Sequence, residues 1–347
     1  ITHTFDPVGS LAVVVDESVR PARLMNLAPR LLETVALGAP ASIKPTHPNS
    51  LTLDVASFSV DGGKMSKPMP VWRIRHELFK LAGLEPYVGI QPWSQEQLGV
   101  KARPMDVVLT HEFASDLAAM SAWLVLEQKA RWKVEVNGVD IPHECHGWHW
   151  DRAFRRVAIG APIKAGRNRL TLSTKYQRDT AIEDTYLIGG FGVRSAEDGM
   201  SYTLTTAPAM LKAGDWGPQG YPFYAGNMVY RFEAERPNGG AGRIELAIRK
   251  PMAWGVAVSI NGRPAGLIGG QPWTLDVTSC LRPGPNMIDV EVIGTLRNTF
   301  GPLHHTVEEP CFWWGPDSFV DEKRWTDRYQ FVPYGLGQWP ELRVYDR

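Results

Sequence analysis

The densest set of metal-binding side-chain types in the chain lies at residues 143–149, His-Glu-Cys-His-Gly-Trp-His. A zinc protease site needs His-Glu-x-x-His on a helix, which puts both imidazoles one turn apart on one face. Here the second histidine comes one position early, and the flanking residues alternate like strands. His143, Cys145 and His146 or His149 are ligands by type. The pattern reads as solvated histidines in a loop, and no metal site is assigned.

Acid–base chemistry has its candidates elsewhere. His304-His305 precedes Glu308-Glu309, so a base and a carboxylate fall close together. Adjacent residues on a strand face opposite ways, so only one of each pair could share a pocket. A glycosidase requires two carboxylates about 5 to 10 Å apart across the scissile bond. Asp184, Asp215, Asp276 and Glu308 are available, but spacing along the chain brings no two together. An enzyme reading would use Asp215, His304 and Glu308 in a centre between the two halves of the chain. No Gly-x-Ser-x-Gly elbow is present. The double glycine at 189–190 is followed by neither Lys-Ser/Thr nor a helix, so it is not a phosphate loop.

A third set is aromatic. Trp216, Tyr221, Phe223 and Tyr224 crowd a loop rich in Gly and Pro, and loops at a sandwich edge commonly carry binding. With Trp273, Arg297 and Asn298 they could form a sugar-stacking platform with polar donors. The competing reading is burial against a neighbouring domain.

The elements that would position these groups are strands, and they occur twice. Val256, Val258 and Ile260 alternate with small or polar residues, and Asn261-Gly262 makes a tight turn. After the turn at 281–286, Ile288, Val290 and Val292 alternate with Asp289 and Glu291. The earlier copy has Trp132, Val134 and Val136, then Asn137-Gly138. Each copy reaches an aspartate (Asp151, Asp276) in equivalent places, which suggests a shared turn-capping role. Each then reaches a Gly-x-Asn turn ending in Asn168 or Asn286, and a strand leaves it. Residues 71–81 form the one short helix expected, with Val71, Ile74, Leu78 and Leu81 on its apolar stripe. Leu11 to Val15 reads as a fully covered strand, and residues 329–344 as a last strand returning to the sheet.

Bulk properties narrow the class. A length of 347 residues fits two to three domains, and a net charge of zero removes the electrostatic case for nucleic acid or an anionic membrane surface. No apolar run approaches the ~18 residues of a membrane helix. Cys145, Cys280 and Cys311 are too few and too widely spaced to imply a disulfide framework. The chain opens Ile1-Thr2-His3-Thr4 without methionine or a signal segment, so it is expected to be processed or part of a longer protein.

The strings NGRPAG, PWTLDVT and LRPGPNMIDVEVIGTLRN (within residues 261–298) resemble galactose-binding-like β-sandwich modules of glycoside hydrolases. These are the jelly-roll modules of family 2-type enzymes and of large α-L-rhamnosidase-like proteins of family 106 type. Residues 49–63, 182–193 and 219–232 resemble the carboxy-terminal region of the rhamnosidase-like chains. The resemblance implies an all-β fold of two tandem antiparallel jelly-roll sandwiches. The chain's own pattern places the tail of a preceding domain or a linker at 1–45, a first sandwich at 46–198 and a second at 199–347. The resemblance also implies a non-catalytic, carbohydrate-binding or scaffolding region acting on plant or bacterial glycans. The catalytic barrel would lie upstream or on another chain of the same enzyme. The sequence leaves the compartment open, with a periplasmic or secreted one favoured. Calcium sits in modules of this fold, although no acidic cluster with ligand spacing appears here. The alternatives are a stand-alone carbohydrate-binding protein and a glycosidase with its site between the sandwiches.

Overall fold

The computed structural model describes residues 29–84, 102–238, 242–305, 319 and 321–346. Nearly every regular element is a strand, and almost all pairings are antiparallel, as the sequence predicts. Among the described residues no helix is long and apolar enough to cross a membrane.

The first sandwich has two sheets. In one, Val55–Val60, Met105–Ser115, Gly166–Tyr176, Lys133–Val136 and Val139–Ile141 lie side by side. In the other, the order is Asn49–Leu53, Thr185–Gly189, Ala122–Leu126 and Asp151–Ala158. The second sandwich repeats both of these orders, while Phe191–Ser195, Tyr202–Thr206 and Trp148–His149, which extend the first sandwich's sheets, have no counterpart among its described strands. Ser42–Pro45, Met228–Glu235, Pro285–Ile293, Gly255–Ile260 and Arg263–Ile268 make one sheet. Leu31–Ala36, Glu341–Tyr345, Ile244–Ala247 and Thr274–Asp276 make the other.

This order corrects the tail or linker expected over 1–45 for residues 31–45. Both strands between 31 and 45 pair with the second sandwich, across the whole of the first. They are edge strands with little buried surface, so they carry a weak apolar pattern, and their partners lie some 180 to 310 residues downstream. The first sandwich therefore interrupts the second. Leu11 to Val15 lies outside the described residues.

Each sandwich closes on its own apolar core. Leu109, Leu124, Val134, Leu170, Leu172 and Leu187 fill the first, and Phe232, Leu246, Val256, Val258, Ile288, Val290 and Leu342 the second. The helix Val71–Leu81 forms where predicted, and Gly83, with φ of 74°, ends it. Its buried face is Val71, Trp72, Ile74, Leu78 and Phe79; Leu81 instead points outward and is 49% exposed. Asp151 and Asp276 both cap turns, accepting from the backbone nitrogens of Ala153 and Thr278.

One polar device recurs in both cores. Asn137 and Asn261 take left-handed φ of 53° and 52°, a region that asparagine tolerates better than most residues. Their Nδ2 groups donate at 2.8 Å to Oδ1 of Asn168 and Asn286. Asn137 Oδ1 and Asn261 Oδ1 each accept, at 3.0 Å, from the backbone nitrogen of Arg169 and Met287. Asn168 donates to the carbonyls of Lys164 and Gly166, and Asn286 to those of Arg282 and Gly284. Both second asparagines are 2% exposed, so each clasp is buried and satisfied.

Removing one buried member leaves several backbone groups without partners, at about 1–3 kcal/mol for each polar group left unsatisfied. Asn168→Ala and Asn286→Ala are each expected to cost about 2–4 kcal/mol in urea unfolding. A cost below about 0.5 kcal/mol, the range of neutral surface changes, would contradict the clasp's role.

Candidate functional site

One of the carboxylates the sequence offers, Asp184, meets a second in space, Asp54, which the sequence does not single out. Asp54 ends the Asn49–Leu53 strand, and Asp184 immediately precedes Thr185–Gly189, the strand that pairs with it. Both are buried. His304 reaches this pair from the second half of the chain. Its Nδ1 donates to the Thr326 carbonyl at 2.8 Å, and its Nε2 lies 3.0 Å from Asp54 Oδ2. Because a carbonyl can only accept, Nδ1 keeps its hydrogen, and the Nε2–Oδ2 contact holds one further proton between ring and carboxyl. The Tyr329 hydroxyl donates to Asp54 Oδ1. Trp325 stacks on the His304 ring at 4.3 Å, and the Arg73 guanidinium, from the helix, lies 4.9 Å from the Trp325 ring centre.

Asp184 sits differently. The Trp72 indole nitrogen donates to its Oδ2 at 3.2 Å, while its Oδ1 has no partner among the described residues. Burial, and next the Asp54 carboxylate, hold the Asp184 carboxyl well above the usual carboxylate range. Burial and then Asp54 likewise push the Tyr329 phenol well above 10. Two carboxyl groups in unlike environments are the raw material of acid–base catalysis. The void they share, closed by Trp72, Leu303, Phe319 and Trp325, holds only about 20 Å³. No sugar ring fits there. Asp54 and Tyr329 also line a surface cleft of about 380 Å³ with Phe113, Met200 and Tyr202, rimmed by Glu112 and Arg167.

The candidates from sequence scatter. Asp215 Oδ1 accepts from the nitrogens of Gly217 and Tyr334, so it braces a loop in a network separate from that of His304. Glu308 lies outside the described residues. Trp216 and Tyr224 are fully buried, and their rings contact each other and Tyr334 or Tyr221 inside the second core. The outward platform is corrected accordingly: the loop closes the sandwich end, and its rings point into the core it covers. The Tyr224 hydroxyl accepts from the nitrogens of Thr46 and His47 and donates to the Asn227 carbonyl. Tyr221 is buried but lines a surface cleft. Trp273 packs partly buried on the second core. Asn298 is 1% exposed and exchanges hydrogen bonds with the Val332 backbone, whereas Arg297 Nη1 finds no partner among the described residues. These two residues belong to a short turn whose Phe300 packs on Phe154 and Tyr186 of the first sandwich.

The histidine-rich loop does not converge either. His143 Nδ1 receives a hydrogen bond from the buried Lys129 amine at 3.0 Å, and His146 meets the Trp123 ring edge to face. Among the described residues no group of three or more His, Cys, Asp or Glu is placed to hold a metal ion.

No family model matches the chain, and no curated protein matches it in sequence. Solved structures to which it is similar include the rhamnosidase of Novosphingobium sp. PP1Y, at 14% identity and a TM-score of 0.28, over 70% of this chain and 23% of that one. The β-D-mannosidase of Dictyoglomus thermophilum matches at 11% and 0.27, over 71% of this chain and 31% of that one. A β-glucuronidase of Ruminococcus gnavus matches at 12% and 0.28, over 76% and 46%. The chain thus spans less than half the length of these glycoside hydrolases. Likeness at this level defines neither fold nor activity, and the architecture rests on the strand pairing.

Titration of the core gives a pH signature. His111 is fully buried; its Nδ1 donates to the Val55 carbonyl, its Nε2 has no partner among the described residues, and burial lowers its pKa from 6.5 to about 4. A depressed histidine contributes stability in full above pH 6.5 and loses it as the pH falls toward 4, here roughly 3 kcal/mol in all. Burial also lowers His149 to about 4, so it adds in the same window. His111→Gln should flatten part of the fall in melting temperature between pH 6.5 and 4. Asp184 works in the opposite sense, since a raised carboxyl loses stability as pH rises through its folded pKa. Asp184→Asn should therefore gain on the parent protein at pH 8 relative to pH 4. Unchanged pH profiles in both variants would contradict these assignments.

Proposed function

We propose that this chain is a carbohydrate-recognising, non-catalytic pair of β-sandwiches from a glycoside hydrolase, with the hydrolytic module on another segment or chain. The observation that carries the non-catalytic part is the space at the buried carboxyl pair of Asp54 and Asp184. Asp54 is fully engaged by Tyr329 and His304, and the void it shares with Asp184 is about 20 Å³. Hydrolysis with two carboxyl groups needs a sugar and often a water between them. The network instead ties the C-terminal part of the chain to the first sandwich, and that is a structural use of acid and base.

The carbohydrate part rests on the resemblance of residues 49–63, 182–193, 219–232 and 261–298 to sandwich modules of such enzymes. The repeated strand order and repeated asparagine clasp support it as a duplicated module. On this reading the first sandwich occupies about 46–198. The second comprises about 199–347 together with the strands Leu31–Ala36 and Ser42–Pro45.

A glycosidase reading retains one foothold, the cleft of about 380 Å³ that Asp54 lines with Glu112. The isolated chain, assayed on a panel of nitrophenyl glycosides and on a glycan array, should bind neutral glycans and release no nitrophenol. Turnover by the isolated chain that Asp54→Asn abolishes would overturn the non-catalytic reading.

A further inference from the structure

A second cleft, of about 290 Å³, opens where the two sandwiches meet. Its walls come from both: Trp123 and Gly190 from the first, Tyr221 from the second, and His47 and Pro48 from the connection between them. Trp123 is half-buried. Arg156 lies over its ring at 5.6 Å, and His146 meets it edge to face at 5.2 Å. The His47 ring stacks on Trp150 at 4.4 Å and 28°, which fixes the imidazole at the rim.

Three features indicate what would occupy it. None of the lining residues is Asp, Glu, Lys or Arg, and burial holds the His47 pKa below its ordinary 6.5. The lining itself therefore offers an occupant no ionic partner. The Tyr221 residue is only 3% exposed, and its hydroxyl has no protein partner among the described residues; His47 uses Nδ1 on Thr46 Oγ1 and leaves Nε2 free. A phenol hydroxyl and an exposed imidazole nitrogen, both without a protein partner among the described residues, suit a ligand with hydroxyl groups. Finally, a Cβ added at Gly190 would meet nothing within 4 Å, so this glycine, which lines the cleft with Trp123, leaves open space there. An aromatic face, few polar groups and a volume for about one ring match the way an amphipathic ring is held.

Resting on the carbohydrate reading above, we infer that this cleft holds a single neutral pyranose, with its apolar face toward Trp123 and its hydroxyls toward Tyr221 and His47. The site belongs to neither sandwich alone. It is also distinct from the buried Asp54–His304 network.

The test is binding of methyl β-galactoside, methyl α-mannoside and methyl α-rhamnoside to the full chain, by saturation-transfer NMR and calorimetry. Gly190→Leu fills the open space without touching the core, and Tyr221→Phe removes only a hydroxyl. Each should weaken binding about tenfold, equivalent to about 1.4 kcal/mol, and Trp123→Ala should weaken it at least as much. Melting curves identify any variant that has lost its fold, and Gly190→Leu decides the case if Trp123→Ala has. Binding by the parent chain that all folded variants retain within about twofold would overturn the cleft while leaving carbohydrate recognition standing. Failure of the parent chain to bind any glycoside on the glycan array or in solution would overturn that reading and the cleft with it.

Discussion

The asparagine clasp is the constraint on which the rest depends. In each sandwich the hairpin turn and the Gly-x-Asn turn must meet at one height, because one amide spans both. That contact fixes the register of Lys133–Val136 against Gly166–Tyr176, and of Gly255–Ile260 against Pro285–Ile293. A slip of one residue would turn Leu170 and Leu172, or Ile288 and Val290, out of the core. The clasp converts turn chemistry into core packing. Its recurrence with the same donors and acceptors is stronger support for duplication than the shared strand order alone.

A second constraint couples the two copies. Ser50 and Thr52 lie on a strand of the first sandwich, yet their hydroxyls are satisfied by the carbonyls of Phe223 and Thr299. Asn49 donates to Phe191 and Gly220, and Asp54 depends on His304 and Tyr329. Buried polar groups are tolerated only when paired. The first sandwich thus needs the second to satisfy one of its edges. The acidic and basic side chains that come together here are also one another's partners, Asp54 with His304 and Tyr329. The Tyr221 hydroxyl and the Nε2 of His47, in contrast, have no partner among the described residues and lie at a cleft on the seam.

Much of the fold was legible in sequence because it is encoded locally. Alternation at 256–260 and 288–292 predicts which side chains enter the core, and Asn-Gly marks the hairpins. The helix at 71–81 follows from its spacing, although Leu81 faces solvent because Trp72 and Phe79 complete the buried stripe. The interleaving of the sandwiches was not legible, since edge strands at 31–45 have weak patterns and distant partners. Nor was the meeting of Asp54 with His304, 250 residues apart. A local signal did exist there: Asp54 and Asp184 each adjoin an apolar strand run, where an acid needs a partner. The aromatic loop misled for a physical reason. Trp216 and Tyr224 have the composition of a sugar platform and of a core plug alike, and only burial separates the two.

The central claim is that recognition resides in this chain and hydrolysis elsewhere. Its most direct test is to purify the protein from its natural source, following this sequence by peptide mapping and glycosidase activity together. The account predicts that activity travels with a polypeptide or complex well above the 38.6 kDa of this chain. Activity that travels with a 38.6 kDa species alone would contradict it.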